Sequence, residues 1–281
     1  MSGRPVADGP VLADPGGPLH VVDLGTVPYR EALALQERLR DARRAGAVGD
    51  LLLLLEHPPV YTRGRRASAD ELPFGDAWYG ERGIEIVDVA RGGKATYHGP
   101  GQLVGYLVVA TRDVIGLVGA IERAMVAVAR DRGIDARGRA ADGIAFTGAW
   151  VGDRKLGSIG LHLAHGVTTH GLGLNVVTDL TPFEWIVPCG LTTPMTSIAR
   201  EAGDPDLASD PGLDASAAVR AAGERVAAAL AGELGIATVA LDAAAVRALA
   251  AAHGDVAPTL PEPADRRAVA PRPPGAPEPA R

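Results

Sequence analysis

Apolar positions repeat along this chain with two periods: alternation or short unbroken runs mark strands, and steps of three and four mark helices. Leu19–Leu24 predicts a short strand. Thr26 then stands where a helix cap is expected, with Pro28 in the first turn. That helix runs to about Arg44, with Tyr29, Ala32, Leu33 and Leu39 on one face and Gly46 as its stop. Leu51–Leu55, five leucines in a row, lies between Asp50 and Pro58-Pro59. A turn and a half of helix would also fit, but the short length and the prolines favour a strand buried on both faces. Ile84–Val89 and Leu103–Val109 predict further strands. From Val114 to about Arg132, Val118, Ile121, Met125 and Val128 continue a helical stripe that Gly133 closes.

The second half carries more turn signals. Ile144–Thr147 and Trp150-Val151 are strand-like, and Gly152-Asp153 makes a tight turn. Gly157–Leu163, a turn at His165-Gly166, and Val167–Val177 predict a β-hairpin. Phe183–Val187 is a short apolar run, and Glu201–Pro211 a polar loop. Asp214 opens a helix with Val219, Val226, Leu230 and Leu234 on its buried face and Gly235 at its end; a shorter helix covers 242–252. Strands and helices alternate irregularly and hairpins join several strands. The class is therefore α/β in the broad sense (α+β), a mixed β-sheet with flanking helices. Residues 1–18 are rich in Gly, Pro and Asp and predict a disordered tail. Beyond Asp255 stand eight of the 22 prolines and almost no large apolar residue, so 255–281 is read the same way. The expected organisation is one domain over 19–235, a short helical extension over 236–254, and two tails.

Composition narrows the function. Hydrophobic residues at 47% and charged residues at 22% are the balance of a globular protein with a sizeable core. A net charge of −6 argues against general nucleic-acid binding. The single cysteine cannot form an internal disulfide, which predicts a reducing compartment. No leader-like N-terminus and no apolar run of membrane-spanning length is evident, so a cytoplasmic location without membrane contact is expected.

Three stretches carry candidate chemistry. Arg91-Gly92-Gly93-Lys94-Ala95-Thr96-Tyr97-His98-Gly99-Pro100-Gly101-Gln102 holds four glycines in its first eleven residues. Glycine lets backbone approach a ligand and frees amide groups to bind it, but neither standard phosphate-loop pattern is present. Tyr61–Arg66, on an expected loop, carries Arg63, Arg65 and Arg66, either a solvated turn or a contact for an acidic partner. Cys189, the only cysteine, lies between Pro188 and Gly190 in an expected loop, where a thiol is either inert or presented to a substrate. A metal site from His162, His165, His170 and Cys189 lacks the spacing of a zinc motif, and no metal is expected. A hydrolase pairing Cys189 with His98 or His170 is a weaker alternative.

Laid out in order, these segments resemble one family. Arg91-Gly92-Gly93-x-x-Thr96-Tyr97-His98-x-x-Gly101-Gln102-x-x-x-Tyr106 is similar to the signature of lipoyl(octanoyl) transferases. Lys155-Leu156-Gly157-Ser158-Ile159-Gly160, His170-Gly171-Leu172-Gly173-Leu174-Asn175-Val176, Asp179-Leu180-x-x-Phe183 and Pro188-Cys189-Gly190 resemble later parts of that family. Glu56-His57-Pro58-Pro59-Val60-Tyr61-Thr62 and Gly64-Arg65 fit its beginning. The resemblance covers about residues 19–235 and makes that span the catalytic domain.

The resemblance implies the fold of biotin and lipoate protein ligases and a ping-pong transfer without a cofactor. An octanoyl group would pass from octanoyl-acyl-carrier protein to a cysteine thioester, and then to a lysine of a lipoyl domain. Acceptors would be lipoyl domains of 2-oxoacid dehydrogenase complexes and the glycine cleavage H protein. The family's catalytic cysteine corresponds to Cys189 and its partner lysine to Lys155. Its substrate-binding residues correspond to Arg91, Gly92, Gly93, Lys94, Ala95, Thr96, Tyr97 and His98, to Ser158, Ile159 and Gly160, and to Gly171, Leu172 and Gly173. Glycines 92, 93, 160 and 171 would shape a narrow acyl slot against backbone. A free thiol of pKa about 8.5 is mostly protonated at neutral pH, so a neighbouring ammonium would serve it. An acidic carrier would meet Arg63 and Arg66, with Arg65 left open between docking and structure. Competing readings are an ATP-dependent lipoate or biotin ligase of the same fold and a non-catalytic lipoyl-domain-binding module.

Overall fold

The structure, a computed structural model, describes residues 17–186, 193–203 and 215–253. Cys189, Asp214 and all but the last two residues of the predicted N-terminal tail lie outside the described residues, as does the whole of 255–281. In chain order the first elements are β1 (Leu19–Thr26), α1 (Tyr29–Arg44), β2 (Leu51–Glu56), β3 (Val60–Arg63), α2 (Asp76–Gly80), β4 (Glu85–Asp88), β5 (Ala95–His98) and β6 (Gln102–Val108). Next come α3 (Val114–Arg130), β7 (Arg137–Gly138), β8 (Gly148–Val151), β9 (Arg154–Ala164) and β10 (Val167–Asn175). The rest are α4 (Ile198–Glu201), α5 (Ala215–Leu234), β11 (Thr238–Ala240) and α6 (Ala243–Ala252).

The leucine run organises the molecule. β2 lies inside a mixed sheet of order β11-β1-β2-β6-β10-β9-β8-β7, in which β1 is parallel to β2 and β11 and the other pairs are antiparallel. Because successive side chains alternate faces, Leu52 and Leu54 join Leu103, Leu107 and Leu172 beneath Leu117, Ile121 and Met125 of α3 and Val226 and Leu230 of α5. Leu51, Leu53 and Leu55 face the other way, with Val104, Tyr106 and Val108, under Tyr29, Leu33 and Leu39 of α1 and Val246 of α6. None of the five is more than 6% exposed, and each contributes about 1.5–3 kcal/mol by burial. The result is three layers, helix–sheet–helix. Among the described residues no helix is long and apolar enough to cross a membrane.

A smaller sheet, order β4-β3-β5, packs its Tyr61 and Tyr97 with Tyr79, Phe74, Trp78, Phe183 and Trp185. Tyr61 donates to the Pro182 carbonyl at 2.6 Å and Tyr79 to that of Trp185 at 2.9 Å. These bonds anchor the 3₁₀ turn Thr181–Trp185 to the small sheet.

Several sequence expectations change. Thr26 does not cap α1: β1 continues past Leu24 through an irregularity at Gly25 (φ +63°), pairing Thr26 with Glu56, and Pro28 takes the cap position. Val60–Arg63 is a strand rather than a loop, since β4 and β5 flank it. Ile144–Phe146 is a 3₁₀ turn, not a strand; it follows Gly143 (φ +119°) and leaves Ile144 exposed. Phe183 belongs to the turn already described. Thr238–Ala240, unremarked in the sequence, adds a parallel strand beside β1. The hairpin turns as expected at His165-Gly166, both with positive φ. Gly46 closes α1 at φ +72°, with Gly46 and Ala47 donating to the Arg43 and Ala42 carbonyls.

Candidate active site

The loop from Arg91 to Gly93 is held from both sides. Arg91 is buried, and its guanidinium donates to the Thr62 carbonyl at 2.7 Å, to the Thr62 hydroxyl and to the Gly92 carbonyl. The Gly92 amide donates to Leu161 of β9 at 3.1 Å, and Arg65 and Arg66 donate main-chain bonds to the Arg91 and Gly93 carbonyls. A Cβ on Gly64 would stand 2.6 Å from the Gly93 carbonyl oxygen, and one on Gly160 3.1 Å from that of Gly92. Lys94 faces the buried carboxylate of Glu71 at 3.9 Å, and Glu71 also accepts the Ala95 amide. Thr96 and Tyr97 lie on β5, opposite Thr62 and Tyr61.

His98 closes β5 and enters a buried polar cluster. Gln102 donates through Nε2 to Asn175 Oδ1 (2.9 Å) and to the Tyr97 carbonyl, so its Oε1 accepts and His98 Nδ1, 2.6 Å away, is the protonated nitrogen. Burial above all, then His57 and Arg91, lowers the His98 pKa to about 3, so its Nε2 carries a free lone pair at neutral pH. His57 donates through Nδ1 to the Val27 carbonyl and accepts the Tyr106 hydroxyl at Nε2, 2.7 Å away. Its pKa falls to about 4 by burial, against the opposing Val27 bond. Tyr29 packs on both histidines, at ring distances of 4.9 and 6.0 Å.

His170 sits in β10 with φ +60°, its amide donating to Gln36 Oε1 at 2.6 Å. Its Nδ1 and the Gln36 Nε2 are buried without a protein partner among the described residues, polar atoms left for solvent or ligand to satisfy. Burial, then Arg91 and His162, lowers the His170 pKa to about 3. His162 is half-buried and His165 exposed, and among the described residues no three His, Cys, Asp or Glu side chains group to hold a metal.

Residues of the hairpin divide by face. The room at Gly171 is filled by protein: a Cβ there would stand 2.1 Å from the Gly105 carbonyl oxygen and 2.7 Å from Leu107. Gly173 makes room for Gln102 and His98, while Leu172 points into the core under α3. Ser158 pairs with Gly148 and Gly173, and Ile159 packs against that core.

Lys155 opens β9 beside β8. Its amide donates to the Pro194 carbonyl at 2.8 Å, and its carbonyl accepts the Thr196 amide at 2.9 Å. The Thr196 carbonyl in turn accepts Asn175 Nδ2 at 3.0 Å. One chain of hydrogen bonds thus runs His98–Gln102–Asn175–Thr196–Lys155. The ammonium lies 5.2 Å from the centre of the Trp150 ring, and burial lowers its pKa to about 8, with Glu122 acting in the opposite direction. At that value the amine both holds and releases a proton near neutrality.

Arg63 is not free for a partner: it makes a two-pronged bond to Asp88 and approaches Asp76. Arg65 and Arg66 are exposed at the rim of the Arg91 loop. Sequence reasoning missed Gln36, Gln102 and Asn175 as linking groups, and Glu122, Trp150 and Thr196 around the lysine. For Glu122 a signal existed, since it falls four residues after Val118 on the apolar stripe of α3.

The family model of the lipoyl protein ligase A/B catalytic domain matches residues 28–211. An octanoyltransferase of Solibacter usitatus (strain Ellin6076) is 48% identical over 180 residues, 63% of this chain and 80% of that protein. One of Mycobacterium sp. (strain KMS) is 43% identical over 235 residues, 80% of this chain and 91% of that protein. Among solved structures, lipoate-protein ligase A bound with ATP superposes with a TM-score of 0.64 at 20% identity, covering 84% of this chain and 93% of that one. At that identity the likeness is one of fold.

Proposed function

The chain belongs to the lipoyl protein ligase A/B catalytic-domain family and is an octanoyltransferase of protein lipoylation, and we propose that it works through a thioester on Cys189. The donor in this reading is octanoyl-acyl-carrier protein. The acceptors are lipoyl domains, including those of 2-oxoacid dehydrogenase complexes and the glycine cleavage H protein. Neutral Lys155 takes the Cys189 proton, and the thiolate attacks the donor carbonyl. The carrier thiol leaves with the proton that Lys155 returns. In the second half a lipoyl-domain amine attacks the Cys189 thioester, Lys155 accepts the amine proton and passes it to the departing sulfur. An amide replaces a thioester, so the exchange runs downhill without ATP.

The observation that carries this reading is the half-buried Lys155 with its pKa lowered to about 8, main-chain bonded to Pro194, five residues past Cys189 in sequence. A lysine in that state matches the proton bookkeeping of both half-reactions. The hydrogen-bonded chain to His98 ties it to the Arg91–His98 segment, whose residues correspond to the family's substrate-binding ones.

Mass measurement of the intact protein after mixing with octanoyl-carrier protein tests the thioester. One octanoyl adduct, removed by hydroxylamine, is expected, and Cys189→Ala should lose both adduct and transfer. Normal turnover by Cys189→Ala would overturn the mechanism.

A further inference from the structure

Glu122 is a carboxylate on the buried side of α3, 6% exposed, among Ile121, Met125 and Leu117. Burial of a charge without compensation is costly, and its bonds show what holds it there. Oε1 accepts the Gly148 amide at 2.6 Å, and Oε2 accepts the Ala140 amide at 3.3 Å. Both ends of the 140–148 connection are thus fastened to one side chain.

Gly148 in turn lies against Lys155. It adopts φ +137°, and a Cβ there would stand 3.1 Å from Lys155 Cε and 2.2 Å from the Gly157 carbonyl oxygen. The lysine stem therefore crosses the residue whose amide Glu122 holds. Beyond it the ammonium meets Trp150, and Arg139 lies 4.8 Å from the centre of the same ring. Of the other charges nearby, Arg139 pairs with Asp142 and Asp153 and Arg154 with Glu201, while Arg137, exposed on β7, stands opposite Trp150. The 194–196 segment brings only Pro194, Met195 and Thr196. Among the described residues, Lys155 makes no ion pair within 4.0 Å, and Glu122 is the carboxylate that its charge feels.

We propose that Glu122 is a positioning residue for Lys155, pinning Gly148 beneath the lysine stem and supplying the fixed negative charge that favours the ammonium. This deepens the proposed mechanism, in which the lysine must hold a proton as well as accept one. Burial drives the amine toward its neutral form, and the Glu122 charge acts in the opposite direction. The buried carboxylate opposes that drift while standing too far away to trap the proton in an ion pair.

The test is the pH dependence of Lys155 acetylation in the full chain, read by peptide mass spectrometry without substrate. In Glu122→Gln the titration midpoint should fall by roughly 0.5–1 pH unit, raising the labelling rate at pH 7 about three- to fivefold. The acidic limb of the kcat/KM profile should move the same way. Glu122→Asp keeps the charge but withdraws it by one methylene, so its midpoint should fall by less, which serves if the Gln variant folds poorly. An unchanged midpoint in Glu122→Gln, or equal shifts in both variants, would overturn the proposal and leave Glu122 a support for the loop. Because labelling needs no turnover, an active Lys155→Met would refute the lysine's catalytic role without affecting this result.

Discussion

At Gly171 the absence of one methyl group decides whether two strands can lie side by side. A Cβ would come within 2.1 Å of the Gly105 carbonyl oxygen, a main-chain atom that cannot swing away. Gly171→Ala should therefore cost about 2–3 kcal/mol, read as a lower midpoint in urea unfolding. Gly232 is the control, exposed on α5, where an added Cβ would find nothing within 4 Å. Gly232→Ala should stabilise by up to about 1 kcal/mol, since glycine is the poorer helix former. The sequence marks Gly171 as a place of close approach, read there as part of an acyl slot rather than as a contact between strands. It does not say what approaches, because Gly105 lies 66 residues away and is brought there only by the β6–β10 register. Arg63 teaches the same lesson from the opposite side, for its partners Asp88 and Asp76 come from other elements.

Elements were legible where burial is symmetric and periodic. Leu51–Leu55 could only be a strand covered on both faces once it was too short for a helix, and the helical stripes of α1 and α3 followed from steps of three and four. The small sheet was harder, because Val60–Arg63 and Ala95–His98 are four residues each and mix polar with apolar groups. Their strand character comes from pairing with one another, not from local pattern. Three elements meeting at the site also bury one histidine each: His57 just past β2, His98 in β5 and His170 in β10. Their folded pKa values, about 4, 3 and 3, lie below the ordinary 6.5. The unfolded chain therefore binds more protons than the folded one below pH 6.5, and stability must fall as pH drops toward 4. Between pH 7 and 5.5 the three together should remove on the order of 3–4 kcal/mol, measurable by urea denaturation at the two values. A flat profile would mean that these rings are hydrated or charged in the fold.

Across the whole molecule the net charge is −6, so attraction of an acidic partner must come from a local surface. Many arginines of the structure are spent on carboxylates, as Arg30 on Glu85, Arg43 on Asp50, Arg154 on Glu201 and Arg225 on Asp131. Arg65 and Arg66 are exposed, and their amides hold the Arg91 and Gly93 carbonyls of the loop assigned to substrate. Burial, then Arg65 and Arg40, lowers the His162 pKa, so the charge of Arg65 reaches β9, while Arg40 is paired with Asp41. The pair expected from sequence, Arg63 and Arg66, changes accordingly: Arg63 supports the fold, and Arg65 replaces it on the surface. An acidic carrier delivering an acyl chain to that loop would meet these two guanidinium groups. Changing both to glutamate should lower kcat/KM for octanoyl-carrier protein about tenfold at low salt, with the difference shrinking as ions screen the field. Transfer from a small octanoyl thioester should be spared, because it presents no acidic surface. If both donors lose equally, the two arginines act on the loop itself through its main-chain bonds, and the carrier docks elsewhere.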